Sequence, residues 1–78
     1  MRENAIRYFA SISSGTIASM TGETKYSTIE LIRSFVIGAI ENAPEKAVKA
    51  IMMDDVHVDW AKVEDVLKRA KKAVCGGV

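Results

Sequence analysis

Apolar residues recur at helical spacing near the start of the chain. At about 100° per residue, positions 2–13 divide into an apolar side and a side that carries Glu3, Arg7 and Ser11. A hairpin that pairs 6–13 with 16–21 is the rival interpretation, but strict alternation would mix polar and apolar residues on each face. The pattern therefore predicts an amphipathic helix that ends at the Ser-Ser-Gly sequence of positions 13–15. Its apolar side comprises Ala5, Ile6, Tyr8, Phe9, Ala10 and Ile12.

Two further helices are predicted before residue 43. The short segment 16–21 precedes Gly22, a residue suited to the left-handed conformation after a helix, although a strand is the alternative here. Ser27 and Glu30 have the spacing of a capping box, which predicts the start of a long helix over 27–41. The apolar face of this helix covers about half of its circumference. It comprises Ile29, Leu31, Ile32, Phe35, Val36, Ala39 and Ile40.

The second half of the chain predicts two more helices with an acidic segment between them. Asn42 is placed to cap a helix with Pro44 in its first turn and Glu45 at the capping-box position. The inner face of that helix would carry Ala47, Val48, Ile51 and Met52. The following residues break the pattern, and a brief alternation at 55–58 predicts an extended linker or one short strand. Asp59 then caps a last helix with an apolar stripe of Trp60, Val63, Val66, Leu67, Ala70 and Val74.

These elements predict an all-α fold, a compact orthogonal bundle of four or five short helices. We expect a single helical domain over residues 1–74, followed by a flexible C-terminal tail at 75–78. A chain of 78 residues buries about 60% of its unfolded surface when it folds, which makes its stability marginal. A partner surface, including that of a second copy of the chain, would therefore add to its stability.

The order of helix, short helix, glycine turn and capped helix is similar to that of a known class of proteins. Ala18 and Gly22 have the spacing found in the helix-turn-helix of small DNA-binding regulators, which residues 16–36 resemble. The sequence departs from that pattern at Thr21, Glu23 and Ile29. The alternative is a helical hairpin packed for stability alone. The resemblance implies that Lys25, Tyr26, Ser27, Thr28 and Arg33 lie toward DNA.

Positive charge is concentrated in the last helix. Residues 1–58 hold six Lys/Arg and seven Asp/Glu, whereas residues 59–78 hold five and three. The basic patch consists of Lys68, Arg69, Lys71 and Lys72, and it is a second candidate for contact with phosphates. Cations near the end of a helix also complement its dipole and solvate its outer face, which is the structural alternative.

The wide apolar face of 27–41 supports a different function. A protein-binding inhibitor or adaptor, as a homodimer or in a complex with another protein, would cover a partner with this face. Its expected interface residues are Leu31, Phe35, Ile37 and Trp60. The alternative interpretation of Trp60 is that it anchors the last helix to the core. The leading expectation remains a homodimeric DNA-binding transcriptional regulator.

The candidates for other chemistry are few. If 54–59 is extended, Asp55, His57 and Asp59 would point to one side as weak candidates for metal ligands. The chain contains one histidine and Asp59 is expected to cap a helix, so we expect no metal, no cofactor, no small-molecule substrate and no enzymatic activity.

Composition narrows the class of protein further. With 49% hydrophobic residues, 27% charged residues, one proline and a net charge of +1, the chain is not a disordered tail. We expect no membrane span because the apolar runs are short, and no secretory signal because Met1-Arg2-Glu3-Asn4 precedes no apolar stretch. The single cysteine, Cys75, fits a reducing compartment, so we expect a cytoplasmic protein.

Overall fold

The computed structural model describes residues 1–53 and 57–75. These residues form five helices, which confirms the predicted all-α bundle. In chain order the helices are α1 (Arg2–Ser11), α2 (Ser14–Thr21), α3 (Tyr26–Asn42), α4 (Glu45–Ile51) and α5 (Trp60–Cys75).

The boundary between α1 and α2 differs from the prediction. The Ser13 side chain accepts a hydrogen bond from the Thr16 backbone N–H at 3.1 Å, and the two side-chain hydroxyls lie 2.9 Å apart. This is the geometry of an N-cap. Helix α2 therefore begins at Ser14, and the sequence Ser14-Gly15 belongs to its first turn instead of ending α1.

The end of α2 agrees with the sequence analysis. Gly22 adopts the left-handed conformation, with φ of 74°, and donates its N–H to the Ala18 carbonyl at 2.7 Å. A residue with a Cβ atom is strained in this conformation, whereas glycine is not. Residues 16–21 are thus helical, and the alternative of a strand is excluded.

Helix α3 is the central element, but the predicted capping box at its start is wrong. Lys25 occupies the N-cap position without a side-chain hydrogen bond to the helix, and Ser27 lies inside the first turn. The Glu30 carboxylate instead binds Ser14 and Arg33. The residues of α3 that face the core are Ile29, Ile32, Val36 and Ile40.

The prediction that Asn42 caps α4 is also wrong. The Asn42 side chain donates back to the Gly38 carbonyl at 2.8 Å, within α3, and Pro44 occupies the N-cap position of α4. After α4, Met52 and Val58 form an isolated antiparallel bridge. Residues 55 and 56 of the extended segment predicted at 55–58 lie outside the described residues.

Helix α5 begins as the sequence predicts. The Asp59 carboxylate accepts hydrogen bonds from the backbone N–H groups of Ala61 and Lys62, at 3.1 and 3.4 Å. The helix buries Val63, Leu67 and Ala70 against the other helices. It extends through residue 75, and the rest of the predicted tail, 76–78, lies outside the described residues.

The helices pack around α3, which contacts α1, α2 and α5. The side chain of Arg2, at the start of α1, donates to the Ile40 carbonyl near the end of α3. The side chain of Arg33, in the middle of α3, donates to the Phe9 carbonyl near the end of α1. The two helices therefore run in opposite directions. The molecule measures 32 × 24 × 18 Å along its principal axes. Its core comprises Ala5, Phe9, Ile17, Ile29, Ile32, Val36, Ile40, Val48, Ile51, Met52, Val63, Leu67 and Ala70.

Candidate functional site

Arg33, which was expected to face DNA, is turned toward the interior. Its side chain is only 14% exposed, and its guanidinium donates to the Phe9 carbonyl at 2.6 Å and to the Glu30 carboxylate at 3.1 Å. The Phe9 carbonyl is one of the last four of α1, which have no partner within the helix. Arg33 therefore links α3 to the end of α1, and this role takes its charge away from the surface.

Glu30 is held by the same network. Its carboxylate accepts a 2.6 Å hydrogen bond from the Ser14 hydroxyl and forms an ion pair with Arg33. The hydrogen bond from Ser14 and then that from Arg33 lower the pKa of Glu30 below its ordinary value of 4.5, because both favour the ionised carboxylate. The network joins α1, α2 and α3.

Two other helix ends are capped by basic side chains from distant parts of the chain. The Arg2 guanidinium donates to the carbonyls of Ile40 and Ala43 at the end of α3 and forms a 3.1 Å ion pair with Glu45. The Lys71 ammonium donates to the Thr21 carbonyl, the last of α2, at 2.6 Å. Helices α1, α2 and α3 have no basic residue in their own last turns. Arg33, Lys71 and Arg2 supply from elsewhere the cation that favours a helix C-terminus.

The other predicted nucleic-acid residues around the turn lie at the surface. Lys25, Tyr26 and Ser27 are exposed, with Tyr26 at 67%, and Thr28 is half-buried. They surround the start of α3. The contact between Lys71 and Thr21 brings the C-terminal part of α5 beside the end of α2 and thus close to the turn.

The basic residues of α5 have different surroundings. Lys68 is exposed and pairs with Glu64 at 3.2 Å, one turn earlier in the helix, while Lys72 is exposed. Arg69 borders a depression with Phe35 and Val66. Lys68 and Lys71 border one depression beside Thr21, whereas Arg69 lies on the side of α5 next to Phe35. The contact of this patch with phosphates stays a prediction.

The outer side of α3 carries two large apolar side chains that the core does not cover. Leu31 is 51% exposed and Phe35 is 48% exposed, one helical turn apart. They border a groove of about 380 Å³ that Gly38 and Ala39 also line. We call this surface the α3 face, and it is formed by Leu31, Ser34, Phe35, Gly38 and Ala39.

The groove continues toward α4 and α5. Phe35 and Ala39 also line a depression of about 170 Å³ with Val66 and Arg69. Ala39 further lines one of about 210 Å³ whose wall includes Ala43. An apolar surface thus runs along α3, with a cationic group at one edge.

Two of the four predicted interface residues do not line the groove on the α3 face. Ile37 is partly buried and packs against the core. The Trp60 ring is also partly buried, and it packs edge to face on Phe9 at a centroid distance of 6.1 Å and against Tyr8 at 5.9 Å. Trp60 therefore anchors α5 to α1, as its alternative interpretation proposed. A role of Ile37 and Trp60 at an interface stays a prediction.

Gly38 and Ala39 were missed as surface residues. Ala39 was expected on the apolar face of α3 but not among the interface residues, and it is exposed. The available signal was the width of the apolar face, because the few neighbouring helices of a small bundle cannot cover half of the circumference of even its central helix.

The acidic segment offers no assembled metal site within the part of the chain that the structure describes. Asp55 lies outside it, His57 is exposed, and the Asp59 carboxylate caps α5. In the described ranges no three His, Cys, Asp or Glu side chains are grouped so that they could hold a metal ion.

None of the described helices combines the length and the apolar character that crossing a membrane requires. Comparison of the chain with protein-family models, with curated proteins and with solved structures finds no match.

Proposed function

We propose that this protein is a non-enzymatic binding module that attaches to another protein chain through the α3 face. The observation that carries the proposal is the exposure of Leu31 and Phe35, which are each about half accessible and line an apolar groove. Side chains of this size bury large apolar areas when a partner covers them. Because both residues belong to the regular helix α3, their positions relative to each other are fixed.

The shape of the groove supports a helical or extended protein segment as the ligand. Along α3 the large side chains of Leu31 and Phe35 are followed by the small residues Gly38 and Ala39, so a partner backbone can approach closely at that end of the groove. The lining contains one polar side chain, Ser34. A surface of this composition favours protein contacts over contacts with the charged backbone of a nucleic acid.

A photo-crosslinking experiment tests the proposal. The photoreactive residue p-benzoylphenylalanine replaces Phe35 in one variant and Met53, which is 71% exposed but does not line the groove, in a matched control. In cells that produce the protein, we expect protein adducts from position 35, their loss on adding Leu31→Asp, and few adducts from position 53. Equal adducts from both positions, or none from position 35, would contradict the proposal.

DNA binding is a second candidate function, favoured by a separate observation. Gly22 forms the predicted turn, and Lys71 holds the end of α5 beside it, close to the exposed Lys25 and Tyr26. A duplex of random sequence should then bind with an affinity that falls as salt rises, and Lys25→Ala with Lys72→Ala should reduce the slope. A slope near zero, or no binding at low salt, would dismiss this candidate.

A further inference from the structure

We infer that the partner segment is an amphipathic α-helix, which lays its apolar side chains in the groove and places a carboxylate against Arg69. This inference rests on the proposed function and names the chemistry of its partner. Three observations support it. The groove has the length of several helical turns, its lining offers few hydrogen-bonding groups to a ligand, and the cation on its wall has no carboxylate partner among the described residues.

The groove is long enough for about three turns of helix. Its lining passes from Leu31 and Phe35 on the outer side of α3, through Ala39, to Ala43 at the end of this helix. Positions 31 and 43 are about 18 Å apart along a helix axis. Val66 of α5 forms the facing wall. A further helix packs readily into a groove between two helices, with its ridge of side chains in the hollow.

The chemistry of the lining selects a helix over an extended segment. The polar side chain of the α3 face, Ser34, already donates within α3 to the Glu30 carbonyl at 3.1 Å. An extended segment buried here would leave its backbone N–H and C=O groups without partners, which is unfavourable. An α-helix satisfies those groups internally and presents its side chains.

Arg69 carries the charge of this groove. It is exposed on α5, and it lines the groove beside Phe35 and again beside Ala43. No Asp or Glu is found among the described residues that line the three depressions. A carboxylate at the edge of the partner's apolar side would therefore meet an opposite charge, whereas a lysine there would meet a like charge.

The Arg69 guanidinium is available to a ligand. Arg2 and Arg33 each bind a carboxylate and a backbone carbonyl of this chain. In the part of the chain that the structure describes, the Arg69 side chain forms no hydrogen bond or ion pair, even with Asp65 one turn earlier on α5. A guanidinium binds a carboxylate through two parallel hydrogen bonds, which would fix the orientation of the partner helix.

Selection from a library of helical peptides tests the inference. A displayed helix of about 16 residues, with one side randomised, is selected on the wild-type chain and counter-selected on Leu31→Asp. We expect apolar residues at helical spacing with Asp or Glu beside them. Selection on Arg69→Glu should favour Lys or Arg at that position, and selection on Arg69→Lys should retain the acid. Arg7→Glu is the matched control, because Arg7 is exposed on α1 and lines a different depression.

An exchange of charge then measures the contact with Arg69. For the tightest acidic peptide, Arg69→Glu should raise the dissociation constant by at least about tenfold, and a lysine in place of the peptide carboxylate should reverse most of this loss. Arg7→Glu should raise it by less than about threefold, the effect of net charge alone. A proline at the centre of the peptide should abolish binding because it breaks the helix. Fluorescence anisotropy measures the affinities, and circular dichroism checks that each variant is folded.

The outcomes also separate this inference from the function on which it rests. The inference is overturned if no peptide that depends on Leu31 is selected, if wild type and Arg69→Glu select the same charge, or if binding survives the proline. If position 35 nevertheless crosslinks to a protein in cells, the proposed function stands with a partner of other chemistry. If position 35 forms no adduct and no peptide is selected, both fail.

Discussion

The Arg33 guanidinium donates a 2.6 Å hydrogen bond to the backbone carbonyl of Phe9, 24 positions earlier in the chain. This contact joins the middle of α3 to the end of α1, and Glu30 holds the guanidinium from the other side. The carbonyl would otherwise lack a partner at the helix terminus. Arg33 is therefore a structural cation, and its contribution is measurable as stability.

Replacing Arg33 with Met should lower the free energy of unfolding by about 1.5–3 kcal/mol, the usual value for a hydrogen bond to a charged group. Urea denaturation at neutral pH measures the change. Arg7→Met is the matched control because Arg7 is exposed on α1, and it should change stability by less than about 0.5 kcal/mol. Equal effects of the two substitutions would show that the link to Phe9 contributes nothing.

Glu30 should make the stability depend on pH in the acid range. Its pKa in the folded protein is lowered, so its ionised form stabilises the fold above the ordinary value of 4.5, and this contribution is lost as the pH falls through the lowered pKa. Glu30→Gln should therefore lower the melting temperature at pH 7, and the difference from wild type should shrink as the pH falls. Thermal unfolding followed by circular dichroism measures both. A difference that is constant from neutral to acid pH would contradict the assignment.

Lys71 should stabilise the fold although it belongs to a basic cluster. Lys71→Met removes the hydrogen bond to the Thr21 carbonyl and should lower the free energy of unfolding by about 1 kcal/mol. Lys72→Met should leave it almost unchanged, because Lys72 is exposed. Hydrogen exchange at the end of α2 should rise only in the first variant. Unchanged protection there would refute the capping role.

Two glycines should respond to alanine in opposite directions. Gly38 has ordinary helical geometry and open space around it, so Gly38→Ala should raise stability by about 0.5–1 kcal/mol. Gly22 has a φ of 74°, so Gly22→Ala should lower stability by about 1 kcal/mol or more. Chemical denaturation of the two variants at low concentration provides the comparison. The same sign for both would conflict with the geometry of the turn.

The helices were predictable because their signals are local. The apolar spacing of α1 and α5, the glycine after α2 and the Asp59 cap each depend on residues within one or two turns. The start of α2 was misplaced because the sequence Ser-Ser-Gly is also typical of a helix end, whereas here Ser13 caps the next helix through the backbone N–H of Thr16. The bundle itself follows from helices of this length that each need to bury one side.

The contacts of Glu30 were not predictable for a different reason. The spacing of Ser27 and Glu30 fits a capping box, but Ser14 and Arg33 compete for the same carboxylate, and Ser14 comes from α2. The cationic caps by Arg33, Arg2 and Lys71 likewise join positions 24 to 50 residues apart. Only the packing of the helices brings these groups together, so spacing along the chain carries no signal for them.

The α3 face was predictable in part. Leu31 and Phe35 were expected at an interface because the apolar side of the helix is wide, and their exposure agrees with that width. Which residues of a wide face remain uncovered depends on where α1 and α5 pack. For this reason the partial burial of Ile37 was not foreseen, and Gly38 and Ala39 were missed as residues that line the groove.

Photo-crosslinking from position 35 tests the central claim most directly. The account predicts protein adducts from position 35 that disappear when Leu31→Asp is added, and few adducts from position 53, which is exposed but does not line the groove. Equal adducts from the two positions, or none from position 35, would contradict it.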